Sequence, residues 1–288
     1  MIRVNRPLKV PPELASQRRE GLKRAFGALN AHGVASDELK KALTGYDGGK
    51  KVLFLKQHKK CAFCERRAVL SANSLEHFRP KGAAWRHFPG EKPRRVDPGY
   101  WWLTWTWENH LFSCHACNTG FKKNYFPLAP GSATLSGPAA PYTRKRLQPA
   151  HKQTAVETSL MVDPATEDPL DHIEWRPVNP LIHAKRLWKW SPTGLTVKGN
   201  ATIRALGLLH QADIVGNHLR DNVLARADNI CALVDGRQYT RALALWDALA
   251  KDVVRSDCDL AGPTWNALHY LVDATKRRSA SLPIPPRP

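Results

Sequence analysis

Apolar positions recur at helical spacing near the start of the chain. Leu22, Phe26 and Leu29 fall at i, i+4 and i+7, which places them on one face of a helix. Gly33 supplies a stop for that helix, because glycine favours the conformation that ends helices. We therefore predict a helical lead-in over residues 1–50, packed on the part of the chain that follows. Two further short helices are predicted at Ser36–Ala42, capped by the Ser36 hydroxyl, and at Val52–Lys60.

The last third of the chain returns to a helical pattern from Asn200 onward. Helices are predicted at Ala201–Leu206, Ala212–Val234, Tyr239–Val254 and Thr264–Lys276. Ahead of them, residues 172–175 and 195–197 show the composition of a hairpin or a pair of edge strands. The proline-rich end, Leu282–Pro288, is predicted to be frayed.

The middle of the chain has no sustained period. It predicts a short strand near Ser74–Phe78, an exposed loop over residues 79–99 and a short helix from Cys117 to about Asn124. Residues 128–150 have the composition of a linker or a wrapping segment. Between these lies Tyr100–Trp107, with four tryptophans in seven positions, which fits either a helix or a strand. The rings could form a base-stacking platform, but the interpretation that they form a core wall is favoured.

Composition and charge indicate the kind of partner. The 288 residues are 42% apolar, which suits a folded protein, and carry a net charge of +19. A surplus of this size favours a polyanion, most commonly nucleic acid, although a merely basic soluble protein would have it too. The sequence shows neither a signal-peptide core nor an apolar run long enough to span a bilayer. We therefore expect no membrane association and a cytoplasmic location.

Four of the six cysteines form two C-x-x-C pairs, Cys61 with Cys64 and Cys114 with Cys117. Four thiolates suit a tetrahedral, structural Zn²⁺ site with no open coordination position. A four-cysteine iron–sulfur cluster is the alternative. The lone residues Cys231 and Cys258 are predicted to be small core side chains.

The 49 residues between the cysteine pairs carry candidate chemistry for phosphodiester cleavage. His77 can serve as the base that deprotonates water. Glu76 and Asn118 offer hard oxygen ligands for a divalent ion such as Mg²⁺ or Mn²⁺. Lys122, about one helical turn after Asn118, is expected to face the scissile phosphate.

Two other enzyme classes are not indicated. Gly48-Gly49-Lys50 is followed by lysine instead of serine or threonine, so there is no phosphate-binding P-loop. The chain also lacks the G-x-S-x-G pattern of serine hydrolases. The sequence therefore does not predict ATP hydrolysis by this chain alone.

Together, the cysteine pairs, Glu76-His77-x-x-Pro80, Trp107-x-Asn109 and the Asn118 and Lys122 that follow resemble zinc-containing HNH endonucleases of the ββα-metal fold. The resemblance implies that His77 is the general base and that Glu76, where the family usually has Asp, and Asn118 bind the catalytic metal. It also implies that Asn109 braces the loop and the catalytic histidine. The extra methylene of Glu76 would shift the metal slightly.

Several flanking motifs resemble more narrowly the HNH subunit of Septu-type antiphage systems, including retron-associated effectors. These motifs are Cys61-Ala62-Phe63-Cys64-Glu65, Tyr100-Trp101-Trp102-Leu103, Phe126-Pro127-Leu128 and Val162-Asp163-Pro164. The likeness extends over roughly residues 1–235 and is most specific over 61–128. It implies an ABC-type ATPase as partner, which the missing P-loop would suit.

The sequence thus predicts an α+β protein, mainly helical, with a zinc-stapled ββα-metal nuclease core. We expect a lead-in over residues 1–50, the core over 51–130 and a mostly helical region over 131–288 for docking a partner or substrate. We expect the substrate to be nucleic acid, either DNA or RNA. Two alternatives stay open, a stand-alone restriction-type nuclease and a non-catalytic zinc module that binds nucleic acid.

Overall fold

The computed structural model describes residues 1–88, 91, 96–147, 156–178 and 189–288. The chain divides into two compact units. The first contains residues 5–59 and 68–163, and the second contains residues 1–4, 60–67 and 164–288. Each unit combines helices with short antiparallel strand pairs, so the predicted α+β class is confirmed. Within the described residues, no helix has the length and apolar character needed to cross a bilayer.

The first unit opens with the predicted helices α1 (Pro12–His32) and α2 (Asp37–Ala42). Pro12 stands in the first turn of α1, where its missing N–H costs nothing. Gly33 ends the helix with a φ of 79°, and its N–H donates to the Leu29 carbonyl. The Ser36 hydroxyl accepts from the Leu39 N–H and so caps α2, as the sequence predicted.

The third helix, α3, spans Lys50–Lys56 after a 3₁₀ turn at Asp47–Gly49, so the predicted range of Val52–Lys60 is partly wrong. The helix ends early because His58 and Lys59 both adopt positive φ, at 55° and 61°. Such values are incompatible with a right-handed helix.

Two antiparallel strand pairs lie in the described part of the first unit. Strand β1 (Ser74–His77) pairs with β4 (His110–Ser113), which confirms the predicted strand and adds its partner. Strand β2 (Ala83–Trp85) pairs with β3 (Val96–Pro98). The prediction of an exposed loop over residues 79–99 is therefore wrong for the described part of that range, and Ala84 is fully buried.

The tryptophan-rich stretch forms neither the helix nor the strand that its pattern allowed. It makes two 3₁₀ turns, Trp101–Leu103 and Trp107–Asn109. The predicted core wall is confirmed, since each of the four rings is at most 5% exposed. Gly21 of α1 allows this packing, because a Cβ there would lie 2.2 Å from the Trp105 ring. A base-stacking platform is excluded, since bases cannot reach buried rings.

A π-helix, Ala116–Lys122, follows β4 where the sequence predicted a short helix from Cys117. It ends at Lys123, which has a φ of 47°. The described part of the predicted linker, residues 128–147, is irregular apart from an isolated bridge between Leu128 and Ser159 and a 3₁₀ turn at Arg144–Arg146. Residues 148–150 lie outside the described residues.

The second unit contains the antiparallel pair β5 (Ile173–Val178) and β6 (Lys189–Gly194). A hairpin partner at residues 195–197 was expected, but Thr196 instead caps a helix that begins at Val197. Among the described residues of this unit, the helices and 3₁₀ or π segments are Pro169–Asp171, Val197–Ala205, Leu208–Gln211, Ala212–Leu219, Arg220–Leu224, Ala225–Asp235, Tyr239–Val253, Ala261–Leu271 and Ala274–Ser279.

The predicted helix Ala212–Val234 is present with a π segment inside it. The predicted helix Thr264–Lys276 is instead two helices, because Val272 is extended and Asp273 caps the second one. The prediction that the chain end is frayed is also wrong. Leu282 is buried in the apolar core of this unit, beside Trp246 and Leu249.

Candidate active site and metal centre

The four cysteines of the C-x-x-C pairs converge. The sulfur atoms of Cys61, Cys64, Cys114 and Cys117 all lie within 4.8 Å of one another. Three of these side chains are buried, and Cys114 is half-buried. Four thiolates so close together fit tetrahedral Zn²⁺, for which sulfur is a preferred ligand. The cluster is therefore compatible with a structural zinc ion.

Each cysteine pair sits in a local turn that its own backbone closes. The Cys61 N–H donates to the Arg66 carbonyl, and the Glu65 N–H donates to the Cys61 carbonyl. Glu65 adopts a φ of 61°, which lets the turn fold back after Cys64. In the second pair, the Asn118 N–H donates to the Cys114 carbonyl at 3.0 Å. That bond places Asn118 in the first turn of the π-helix, directly after Cys117.

Strands β1 and β4 bring two histidines side by side. In their antiparallel register His77 is opposite His110, and Glu76 is opposite Leu111. The two imidazole rings meet edge to face, with 5.0 Å between centroids. His77 is 7% exposed, and His110 is fully buried. The complete burial of His110 suits a structural role.

One backbone oxygen accepts hydrogen bonds from both histidines. Nε2 of His77 lies 2.9 Å from the Thr104 carbonyl oxygen, and Nε2 of His110 lies 2.8 Å from the same atom. A carbonyl can only accept, so each ring carries its proton on Nε2. In the neutral ring, Nδ1 is then the basic nitrogen. Nδ1 of His110 is buried and has no partner among the described residues.

Burial keeps both histidines neutral. It lowers the pKa of His77 well below its ordinary value, and the neighbouring His110 lowers it further. Burial also lowers the pKa of His110 to about 4. The bond to the Thr104 carbonyl opposes both shifts but does not outweigh desolvation. At neutral pH, His77 is therefore an uncharged imidazole able to accept a proton.

Lys122 is buried beneath β1, away from the phosphate-facing position that the sequence predicted. Its Nζ lies 2.5 Å from Oε1 of Glu76 and donates to the His77 carbonyl at 3.0 Å. The Lys122 side chain is fully inaccessible and that of Glu76 is 5% exposed. The structure thus joins Glu76, His77 and Lys122 by direct contact. Lys122 neutralises the buried carboxylate and fixes the end of the strand.

Asn109 connects the segment after His77 to the loop that carries Thr104. Its Oδ1 accepts from the Arg79 N–H at 2.7 Å, and its Nδ2 donates to the Arg79 carbonyl at 3.0 Å. A longer contact of 3.4 Å reaches the Leu103 carbonyl. The Asn109 carbonyl also accepts from the Phe78 N–H. These bonds hold the backbone on both sides of the histidine pair.

Two further side chains, Tyr46 and Lys81, lie near the histidines. The ring of Tyr46 meets that of His77 edge to face at 4.6 Å. Nζ of Lys81 lies 4.0 Å from the centroid of the Tyr46 ring. Burial lowers the pKa of Lys81 to about 8. Tyr46 comes from the segment before α3, so only the folded chain brings it to the site. His110, in contrast, could have been found by pairing Ser74–His77 with the segment after Asn109.

A buried network anchors the chain beyond the Glu-His motif. Nε of Arg79 lies 3.1 Å from Glu157, which also accepts from the Tyr100 hydroxyl at 2.7 Å. Arg86 donates to the same hydroxyl at 2.9 Å and is paired with Asp97 at 2.7 Å. These buried polar side chains pair with one another inside the first unit. Their presence in the sequence is therefore explained by structure and needs no catalytic role.

Comparison with known proteins relates part of the chain to one curated protein. Over 118 residues, 41% of this chain, the sequence is 35% identical to "Septu protein PtuB" of Bacillus mycoides (strain KBAB4). The matched region covers 35% of that protein's length. No protein-family model matches the chain, and no solved structure matches it. The alignment supports a Septu-like relationship.

Proposed function

We propose that this chain is a metal-dependent endonuclease of the HNH type, which hydrolyses phosphodiester bonds in nucleic acid. The observation that carries the proposal is the buried imidazole of His77, which directly follows Glu76 on strand β1 and whose Nε2 proton is fixed on the Thr104 carbonyl. A nuclease needs such a neutral base beside a metal ligand, whereas a purely structural zinc module does not.

His77 acts in this proposal as the general base. Donation from Nε2 to the Thr104 carbonyl fixes the tautomer, so Nδ1 takes the proton from the attacking water. The low pKa keeps the ring neutral at physiological pH. His110 is a positioning residue, since it shares the same carbonyl and packs against the His77 ring.

Glu76 and Asn118 would hold the catalytic Mg²⁺ or Mn²⁺. A carboxylate and an amide oxygen are the hard donors that such ions select. Glu76 also contacts Lys122 through one carboxylate oxygen. The chemistry of the donor set, a carboxylate with an amide, fits the ion. The bound ion would stabilise the charge that develops on the phosphate and on the leaving oxygen. Zn²⁺ in the four-cysteine cluster has no open position and serves structure.

We also propose a role in antiphage defence, as the nuclease subunit of a complex with an ABC-type ATPase. Support comes from the alignment with a Septu protein and from the Septu-like motifs around the site. The mostly helical region of residues 131–288 would dock the partner or the substrate. The net charge of +19 suits a nucleic-acid substrate.

The test is cleavage of duplex DNA, single-stranded DNA and tRNA by the purified chain, with and without Mg²⁺ or Mn²⁺. We expect metal-dependent cleavage, and we expect His77→Ala to lower the cleavage rate by about 10²- to 10⁴-fold, the usual contribution of a general base. His32→Ala, at the exposed end of α1, is the matched control and should cleave like wild type.

The outcomes separate the alternatives. Cleavage by the chain alone favours a stand-alone nuclease. Cleavage only after addition of an ATPase encoded beside it favours the defence complex. If nucleic acid binds equally to wild type and His77→Ala and neither protein cleaves with the ATPase present, the chain is a binding module and the nuclease proposal is wrong.

A further inference from the structure

The segment Leu282–Pro288 lies against two tryptophans of the second unit. The indole Nε1 of Trp246 donates to the Pro283 carbonyl at 2.7 Å. The indole Nε1 of Trp265 donates to the Pro285 carbonyl at 2.8 Å. Each indole has a single donor, and each donor is used on this segment. The two indole bonds reach carbonyls two residues apart and fix the position of the segment.

Burial along the segment repeats every third residue. Leu282 is 5% exposed and Pro285 is buried, whereas Ile284 is 59% exposed. A polyproline II helix has three residues per turn, so residues 282 and 285 lie on one side of it. Four of the seven residues from 282 to 288 are proline, which presets this conformation and lowers the entropy lost on binding.

An arginine completes the contact. A terminal nitrogen of Arg287 lies 2.8 Å from an oxygen of Asp168 and 2.7 Å from an oxygen of Asp171. The guanidinium also stands 5.5 Å from the centroid of the Trp265 ring. The second oxygen of Asp168 accepts from the Leu170 N–H at 2.9 Å, which fixes the acidic pair on its 3₁₀ turn.

Proline-rich peptides dock as preformed polyproline II helices in grooves lined by aromatic side chains. The two indoles supply such a lining here, and the acidic pair adds a partner for an arginine. We propose that Trp246, Trp265, Asp168 and Asp171 form a binding site for proline-rich peptides that carry an arginine two residues after the buried proline. Residues 282–288 of the same chain are its resident ligand. We call these four residues the two-indole groove. This function is separate from the proposed nuclease activity.

Because the resident ligand is tethered, it competes with any free peptide. A segment joined to its site through a short stretch of the same chain has an effective concentration on the order of millimolar. A free peptide of the same sequence therefore binds weakly until the tethered segment is released. Arg287→Glu provides that release, because it places a carboxylate against Asp168 and Asp171 while leaving all four residues of the two-indole groove unchanged.

The experiment uses the full chain and a fluorescent peptide, Ser-Leu-Pro-Ile-Pro-Pro-Arg-Pro, whose sequence is that of residues 281–288. We expect the peptide to bind Arg287→Glu about tenfold or more tightly than wild type. Arg278→Glu is the matched control, because it makes the same charge change at an exposed position outside the two-indole groove, and should bind like wild type. A peptide with Glu in place of its arginine should not bind.

Two indole resonances in ¹H–¹⁵N NMR spectra give an independent readout. The Nε1–H signals of Trp246 and Trp265 should shift in Arg287→Glu and return toward their wild-type positions when the peptide is added. Adding Trp265→Phe to Arg287→Glu keeps a ring but removes a donor, and should weaken peptide binding again. If Arg287→Glu does not fold, Arg287→Gln replaces it, with the same order of affinities expected.

Equal peptide affinity for wild type, Arg287→Glu and Arg278→Glu overturns the proposal. Peptide binding to Arg287→Glu that survives Trp265→Phe unchanged overturns the assignment of the groove.

Discussion

At the scale of single residues, the buried ion pair of Lys122 and Glu76 affects the free energy of unfolding. Both side chains are almost inaccessible, and their oppositely charged atoms are 2.5 Å apart. Removing one member leaves the other charged and buried, which costs about 3–5 kcal/mol. We therefore expect Lys122→Met to lower the free energy of unfolding by about that amount, measured by urea denaturation. Lys123→Met, at the exposed neighbour, should change it by less than about 0.5 kcal/mol.

The double variant Glu76→Gln with Lys122→Met distinguishes charge from packing. It leaves no unpaired charge, so we expect it to recover most of the stability that Lys122→Met loses. It should nevertheless fail to cleave nucleic acid, because the proposed metal-binding carboxylate is gone. If Lys122→Met is as stable as Lys123→Met, the buried pair does not form in solution.

His110 makes stability depend on pH. Burial lowers its pKa from 6.5 to about 4, so the folded chain leaves it neutral between these values while the unfolded chain protonates it. Unfolding then takes up a proton, and stability falls as the pH falls through this window. A pKa lowered to about 4 makes this loss of stability about 3 kcal/mol between pH 7 and pH 4. We expect unfolding free energies measured from pH 7 to pH 4 to decline accordingly.

The control for this pH dependence is His110→Gln, which cannot titrate. It should keep the part of the decline that comes from His77, whose pKa is lowered in the same direction, and lose the part from residue 110. An unchanged slope between pH 7 and pH 4 in His110→Gln would contradict the assignment of a neutral, buried His110.

At the scale of elements, the sequence predicted the helices and strands whose ends depend on interactions within a few residues. The ends of α1 and α2 follow from Gly33 and Ser36, whose conformation and hydroxyl act within a few residues. The strand at Ser74 and the helix after the second cysteine pair were found for the same reason. Such elements need no knowledge of the rest of the chain.

Elements fixed by distant contacts were missed. The tryptophan-rich stretch is irregular because its indoles bond to distant backbone, with Trp105 donating to the Thr44 and Gly45 carbonyls and Trp107 to the Pro7 carbonyl. The proline-rich end is ordered because Trp246 and Trp265 hold it. Tertiary contacts of this kind override the local spacing of apolar residues, and that spacing does not predict them.

The candidate site shows the same division. Its carboxylate, imidazole and amide residues could be identified from the sequence, because the residue type determines the chemical group of the side chain. The oxygen that orients both histidines could not, since it belongs to the backbone of Thr104 and any residue supplies a carbonyl. The position of Lys122 was also missed, because burial beneath β1 depends on how the π-helix meets the strand.

At the scale of the whole molecule, the cysteine cluster connects parts of the chain that are far apart in sequence. The two pairs are separated by 49 residues, yet all four sulfurs fall within 4.8 Å. A bound metal would hold that long loop closed and contribute its binding energy to folding. The cysteines bind a metal as thiolates. Only the folded chain brings the four thiolates together, so the metal binds strongly only to the folded state.

We therefore expect purified protein to contain about one zinc ion per chain, and Cys61→Ser to lose that zinc and to melt at a lower temperature. Cys258→Ser, a cysteine outside the cluster, should retain both the metal and the melting temperature of wild type. Metal analysis also tests the alternative: zinc excludes an iron–sulfur cluster, and iron supports one. Because Asn118 directly follows Cys117, Cys61→Ser should reduce cleavage as well as stability. A Cys61→Ser protein that melts like wild type would mean that the four sulfurs hold no structural metal.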